Sequence, residues 1–241
     1  MAALAEFIDG LDVEPTHPWA WANYRPIIEA AISTFKATSV LEMGGGRMPL
    51  FKPDEIREKG LTYVVNDIDQ AELDLLDPSY HDVTDVMCAD ITKFPQDRTF
   101  DIIISKMVYE HVKDNRTNLK NQLAMLNPGG VIIHFHPVLY SIPFTVNWLL
   151  PVSASRKVMD VLYGKSALKF PAYYDMCRAT PAMEAAIRNL GYAEAQFIPI
   201  WGHNYYRNFG PLHGMQAAFG KRLAAWDARG LSTFCFTMAR K

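Results

Sequence analysis

The stretch VLEMGGGRMPLF, residues 40–51, sets three consecutive glycines between an apolar run and a proline. Val40 to Met43 suit a buried strand, and Gly44, Gly45 and Gly46 permit positive φ and close approach of a ligand to main chain. A tight turn that serves no ligand is the competing reading of such a run. Pro49 and Pro53 interrupt the segment where a dinucleotide fold would continue as a helix, so a dipole-backed seat for a pyrophosphate is poorly built. An adenosine without phosphates suits the loop better.

Working outward, SVLEM (39–43), LTYVVN (61–66), DVMCA (85–89), FDIIIS (100–105) and GVIIHFHP (130–137) are short apolar runs rich in Val and Ile. Segments long enough for helices or helical turns separate most of them, the pattern of strands in a buried parallel sheet. A helix is expected over 18–37, its stripe formed by Ile27, Ile28, Ala31, Ile32 and Phe35 and its main segment started by Pro26. A second is expected from 115, with Leu119, Leu123 and Leu126 as its stripe and Asn127-Pro128-Gly129-Gly130 as its stop. After the fifth strand, regularity lapses over 138–180, which reads as a cap inserted above a site. A helix (180–191), a strand (192–200), a helix near 211–229 and a final edge strand (231–240) complete an α/β layout. One domain is expected over 1–241, with a core of 38–137 and 180–241 and an N-terminal helical segment, 1–37.

The formal net charge of −2 supplies no overall basic field, which disfavours a protein that grips nucleic acid by charge. The three cysteines are widely spaced and form no C-x-x-C or Cys/His cluster, so neither a disulfide framework nor a structural zinc is expected. A reducing, cytoplasmic setting fits. Glu6 and Asp9 spoil any secretory signal, and residues 138–154 are broken by Pro143, Asn147 and Pro151, so no membrane span is expected.

Asp67, closing the second strand in VVNDID, can accept hydrogen bonds from both hydroxyls of an adenosine ribose; a helix cap is its bland alternative. Asp90, after the third strand in CADITKF, can accept from an adenine amino group or merely shape a turn. With these residues in view, the order VLEMGGG, YVVNDID, CADITKFP, TFDIIISKMVYEHVKD and LAMLNPGGVII resembles the class I S-adenosylmethionine-dependent methyltransferases, in particular the type 11 group, over about residues 38–137. The resemblance implies a Rossmann-like sheet, mostly parallel with an antiparallel last strand, and S-adenosyl-L-methionine as cofactor. It implies a cofactor loop of Glu42, Gly44, Gly45 and Gly46, a ribose site at Asp67 with Ile68, an adenine site at Asp90 and Ile91, and main chain of Ser105 and Lys106 facing the methionine part. Met48 stands where the family's third spaced glycine is usual. Weaker stretches such as KFPAYYDMC and WGHNYY look familiar from methyltransferases of small secondary metabolites or sugars.

Methyl transfer from a sulfonium is an in-line displacement, and a hydroxyl acceptor also needs a base. Bases are expected beyond the fourth and fifth strands: His136 first, as nearest the carboxyl end, then His134, which shares its face, and His111. Each competes with a reading as a hydrogen-bonded core histidine. Tyr173, Tyr174, Trp201, His203, Tyr205 and Tyr206 are candidate walls of an acceptor pocket, against ordinary packing. Glu110, His111 and Asp114 lack a diagnostic ligand pattern, and no metal is expected. The leading expectation is O-methylation of a small molecule, with oligomeric state open. A non-catalytic binding or partner subunit and a nicotinamide-dependent oxidoreductase are the alternatives.

Overall fold

The computed structural model describes residues 3–93, 97–150, 170–208 and 210–241. Its centre is a seven-stranded sheet built from β1 (Ser39–Met43), β2 (Thr62–Asp67), β3 (Thr84–Cys88), β4 (Phe100–Lys106), β5 (Leu126–Pro137), β6 (Glu194–Ile200) and β7 (Phe234–Arg240), in the order β3-β2-β1-β4-β5-β7-β6. β1 to β5 pair in parallel, while β7 runs antiparallel to both β5 and β6. The strand order reverses beside β1, which places the crevice for a ligand beyond Met43. Strands buried on both faces explain the unbroken Ile102-Ile103-Ile104 and Val131-Ile132-Ile133 runs, all fully buried.

Around the sheet lie α1 (Leu4–Asp9), α2 (His17–Phe35), α3 (Pro53–Lys59), α4 (Gln70–Leu73), α5 (Asn115–Met125), α6 (Ile142–Leu149), α7 (Pro181–Arg188) and α8 (Gly210–Ala225). α2 begins at His17, with Thr16 as cap and Pro18 in the first turn. Pro26 sits inside it, so the expectation that Pro26 starts the main segment is corrected: the cap Thr16 and Pro18 already start the helix before it. The stripe expected for α5 is corrected too. Its buried face carries Asn115, Asn118, Leu119, Gln122 and Met125, and Leu126 already belongs to β5. Polar residues fill that face because they hydrogen-bond one another, as described below.

The cap expected over 138–180 falls partly on residues 151–169, outside the described residues. Its flanks are α6 and the segment 170–179, which returns across the sheet edge: Tyr173 and Tyr174 donate their backbone N–H groups to the Glu110 carbonyl at 2.8 and 3.1 Å.

Candidate active site

At the C-terminal ends of β1, β2 and β3 lies a cavity of about 550 Å³. Its floor and walls include Gly44, Asn66, Asp67, Asp90, Ile91 and His111. Gly44 and Gly46 adopt φ of +68° and +46°. At Gly44 a β-carbon would stand 2.3 Å from Cγ2 of Val108, so the first glycine is required by close approach of the segment after β4 as well as by its backbone angle. Asn66 secures the turn from beneath. Its carbonyl accepts from the N–H groups of Gly44 (2.7 Å) and Gly45 (3.1 Å), and its side-chain amide donates to the carbonyls of Met87 and Ala89.

Glu42 does not line the cavity. It is buried below the loop, where one oxygen accepts from the Tyr63 hydroxyl at 2.6 Å and the Leu50 N–H at 2.9 Å. Burial raises its pKa to about 7 against the lowering effect of those two bonds. Its part is to hold the far end of the loop. Across the loop's outer side, Arg47 makes a two-pronged ion pair with Glu72 at 2.6 and 2.7 Å.

Asp67 stands on the cavity wall with Oδ1 accepting from the Asp69 N–H at 3.0 Å, and partial burial raises its pKa. The cap of α4 is Asp69, which leaves Asp67 outside that role. Ile68 beside it is exposed at the cavity. Asp90 closes a turn by accepting from Thr92 N–H (2.9 Å) and hydroxyl (2.7 Å), and Lys93 lies 3.6 Å from its other oxygen. The cavity's polar lining thus includes two carboxylates on adjacent strand ends, together with Lys93, Lys113 and Asp114, set against the apolar Ile91, Val108 and Val112. The helix after the glycine loop, α3, starts only at Pro53 and offers no N-terminus to a pyrophosphate. A nucleoside whose hydroxyls and amino group donate hydrogen bonds fits these residues better than a diphosphate does.

Ser105 and Lys106 end β4, but neither side chain lines the cavity. Ser105 is fully buried against His134, and the Lys106 ammonium lies over the rings of Trp21 (4.8 Å) and Tyr24 (5.1 Å) on the α2 face.

The expectation for the two strand-five histidines is corrected. They do share a face, but both are fully buried and both nitrogens of each are engaged. His134 bonds to Ser105 and Gln122, each at 2.8 Å; His136 bonds to the Pro137 carbonyl at 2.9 Å and Thr237 at 2.8 Å, and Tyr109 stacks over both rings. Antiparallel β7 flanks β5 in the sheet and supplies Thr237 to His136. Burial lowers their pKa values to about 3 and about 4, so both rings are neutral. The bonds around His134 run one way. Gln122 donates to Asn118, which donates to Asn115, which donates to the carbonyls of Tyr109 and Asp175. Gln122 therefore accepts from the His134 Nε2–H, and Nδ1 accepts from Ser105.

His111 is placed differently. It lines the cavity, and its Nδ1 lies 2.8 Å from the Pro171 carbonyl, which can only accept, so the neutral ring keeps a lone pair on Nε2. Burial lowers its pKa. Glu110, 3.7 Å from Nε2, is buried with Oε2 unpartnered among the described residues, and burial raises its pKa to about 8.

The aromatic candidates divide. Tyr173 joins His111 on the wall of the cavity beyond β1, β2 and β3. Tyr174 is buried near Phe144, and Tyr205 packs edge-on against the same ring. Trp201, His203 and Tyr206 line a second cavity of about 400 Å³. Asn66 and Val108 were not anticipated as site residues, and Glu110 was weighed only as a metal ligand; Asn66, a polar residue inside the apolar VVN run, left a signal. Among the described residues no group of three or more His, Cys, Asp or Glu side chains could hold a metal, and no helix is long and apolar enough to cross a membrane.

The family model for a methyltransferase domain matches residues 20–170, more than half of the chain. Among proteins with curated functions none matches. Solved structures share the fold at low identity. A putative sarcosine dimethylglycine methyltransferase from Galdieria sulphuraria superposes with a TM-score of 0.55 at 13% identity over 98% of this chain and 96% of that one. Phosphoethanolamine N-methyltransferase 2 from Haemonchus contortus, in complex with S-adenosyl-L-methionine, gives 0.54 at 14% identity over 100% and 60%. The CurJ carbon methyltransferase gives 0.53 at 15% over 90% of this chain and 52% of its own, so the present chain spans about half its length.

Proposed function

The chain belongs to the methyltransferase domain family and is an S-adenosyl-L-methionine-dependent methyltransferase, and we propose that its acceptor is a small molecule methylated at oxygen. When bound, the cofactor supplies an electrophilic methyl group on a sulfonium. Asp67 accepts from the ribose hydroxyls, Asp90 from the adenine amino group, and Ile91 and Val108 sandwich the base. The glycine main chain, held by Asn66, gives close approach to the methionine part. His111, a wall residue whose unprotonated Nε2 lies 3.7 Å from Glu110, takes the acceptor's proton, while Pro171 fixes the ring and Tyr173 helps exclude water.

One observation carries the choice of oxygen: among the histidines expected to serve as base, His111 alone stands on the cavity wall, with its tautomer set by Pro171. A hydroxyl needs such a base, whereas a neutral amine already carries its lone pair. The test is mass spectrometry of extracts of the source cell after incubation with the cofactor, comparing the wild type with His111→Asn. A product one methylene heavier, bearing a methyl ether or ester and formed on the order of 10²-fold more slowly by the variant at unchanged cofactor affinity, supports the reading. A product methylated at nitrogen or carbon, or full turnover by the variant, overturns it.

A further inference from the structure

The second cavity lies between α6 and α8, and its position bears on what the acceptor is. Trp201 follows β6 directly and Thr233 precedes β7. Both β5 and β6 run antiparallel to β7, so β6 ends on the same sheet edge as the glycine loop. The two cavities therefore open on one edge, at opposite ends of the strand order. From β4, beside the cofactor cavity, to β7 is two strand steps, roughly 10 Å.

Its lining is mostly apolar, with Ser141, His203, Tyr206, Gln216 and Thr233 as its polar members, and its rim keeps Ile142, Leu212, Met215 and Phe219 exposed to solvent. Within that wall stands a polar group without a match: Trp201 is 8% exposed, and its indole nitrogen is buried with no hydrogen-bond partner among the described residues. His203, 4% exposed, uses Nδ1 to accept the Tyr205 N–H at 3.2 Å, so the ring's proton is on Nε2. Burial lowers its pKa to about 4 and keeps it neutral. Trp201 and His203, which line this cavity and also the one beside it near Pro15 and His17, thus carry two N–H donors, and an indole N–H cannot accept. A buried donor left unmatched is destabilising, and an oxygen of a bound molecule would relieve it.

We propose that this cavity binds the apolar body of the acceptor, a molecule that carries a carbonyl, ether or hydroxyl oxygen within its apolar part and spans roughly 10 Å to the methylated group. That the ligand is the methyl acceptor rests on the methyl-transfer reading; that the cavity takes an apolar, oxygen-bearing ligand does not.

The probes are 2-acetylnaphthalene and its alkene isostere, in which a methylidene group replaces the carbonyl oxygen, titrated by ligand-observed NMR. Wild-type protein should bind both, the ketone about fivefold more tightly, as one net hydrogen bond provides. Trp201→Phe should remove that preference and leave the alkene's affinity unchanged. Met215→Glu, which sets a carboxylate on the exposed rim, should weaken both at least tenfold. S-adenosylhomocysteine is titrated into the same samples and should bind all three proteins equally. If it binds and neither probe does, the inference fails while the methyl-transfer reading stands; if it does not bind the wild type, that reading fails whatever the probes do. Equal affinity for ketone and alkene, or a preference that survives Trp201→Phe, overturns the role of the oxygen. Should Trp201→Phe not fold, Met215→Glu still decides: undiminished binding places the probes elsewhere and overturns the inference. Concentration-dependent self-association that Met215→Glu abolishes, without probe binding, assigns the face to a second copy of the chain and overturns it as well.

Discussion

The β1–β3 edge and the β5–β7 edge of this sheet carry polar residues at the same height, yet they do opposite things with them. Asp67 and Asp90 follow strands whose ends face open space, and each keeps acceptor capacity on a cavity wall. His134 and His136 sit on a strand flanked by β4 and β7 and covered by Tyr109, and their four ring nitrogens are consumed internally. A polar residue near the end of a strand is therefore not a site residue by position. What decides is whether its neighbours complete its hydrogen bonds.

The sharpest break in this comparison should come at the loop on which the open half depends. Gly44→Ala puts a β-carbon into Val108 at a backbone angle that disfavours side chains. We expect a loss of about 2–4 kcal/mol, shared between stability and cofactor affinity. Gly60 has a nearly equal φ of +62° but open space around it, so Gly60→Ala should cost only about 1 kcal/mol. Calorimetric unfolding of the pair separates steric exclusion from backbone strain; equal losses would mean that Val108 yields.

On the closed half, His134→Ala removes one link of the chain from Ser105 through Gln122, Asn118 and Asn115 to the Asp175 carbonyl. Unmatched buried groups should lower stability by roughly 2–3 kcal/mol and leave S-adenosylhomocysteine affinity within about twofold. Asp67→Ala should do the reverse, costing roughly 1–3 kcal/mol of cofactor affinity with little change in unfolding temperature. If both variants lose both properties, the two halves are not separable.

The pH profile of stability tests buried groups from both halves at once. His134 and His136 are held below their ordinary pKa, so the unfolded chain binds more protons as pH falls below about 6.5, and their contribution is lost on acidification. Glu42 and Glu110 are held above theirs, about 7 and about 8. Their contribution is full below about 4.5 and is lost as pH rises towards those values. Between about 4.5 and 6.5 two opposing pairs offset one another, so stability should be flat there and decline on both sides. Glu42→Gln, which can still accept from Tyr63 and Leu50, should remove one of the opposing groups, so that stability rises with pH between about 4.5 and 6.5 and the alkaline decline is shallower; an unchanged profile would show that Glu42 is ionised without strain.

These contrasts also explain what was legible in the sequence. The α/β order, the sheet strands, the glycine loop and the placement of Asp67 and Asp90 follow from local signals: period, β-branching, glycine and the residue after each strand. Glu42 belongs to the same motif, yet its burial under Leu50 and Tyr63 depends on a loop eight residues long folding back, which no periodicity reports. The histidines misled because strand alternation gives their shared face but not what covers it; Tyr109 stacks over both rings, and Thr237 of β7, about a hundred residues later, completes the bonds of His136. The polar face of α5 was hidden by its leucines, although Asn115, Asn118 and Gln122 recur at helical spacing. Trp201 and His203 were recognised as wall residues, but not as belonging to a cavity separate from the one beside Tyr173.

The central claim, that the β1–β3 edge holds S-adenosyl-L-methionine through Asp67, is met most directly by isothermal titration of S-adenosylhomocysteine and NAD into the wild type and Asp67→Ala. The account predicts one site for S-adenosylhomocysteine, weakened by roughly 5- to 150-fold in a variant that unfolds at the wild-type temperature, and no heat from NAD. Tight binding of NAD alone, or unchanged S-adenosylhomocysteine affinity in the folded variant, would contradict it.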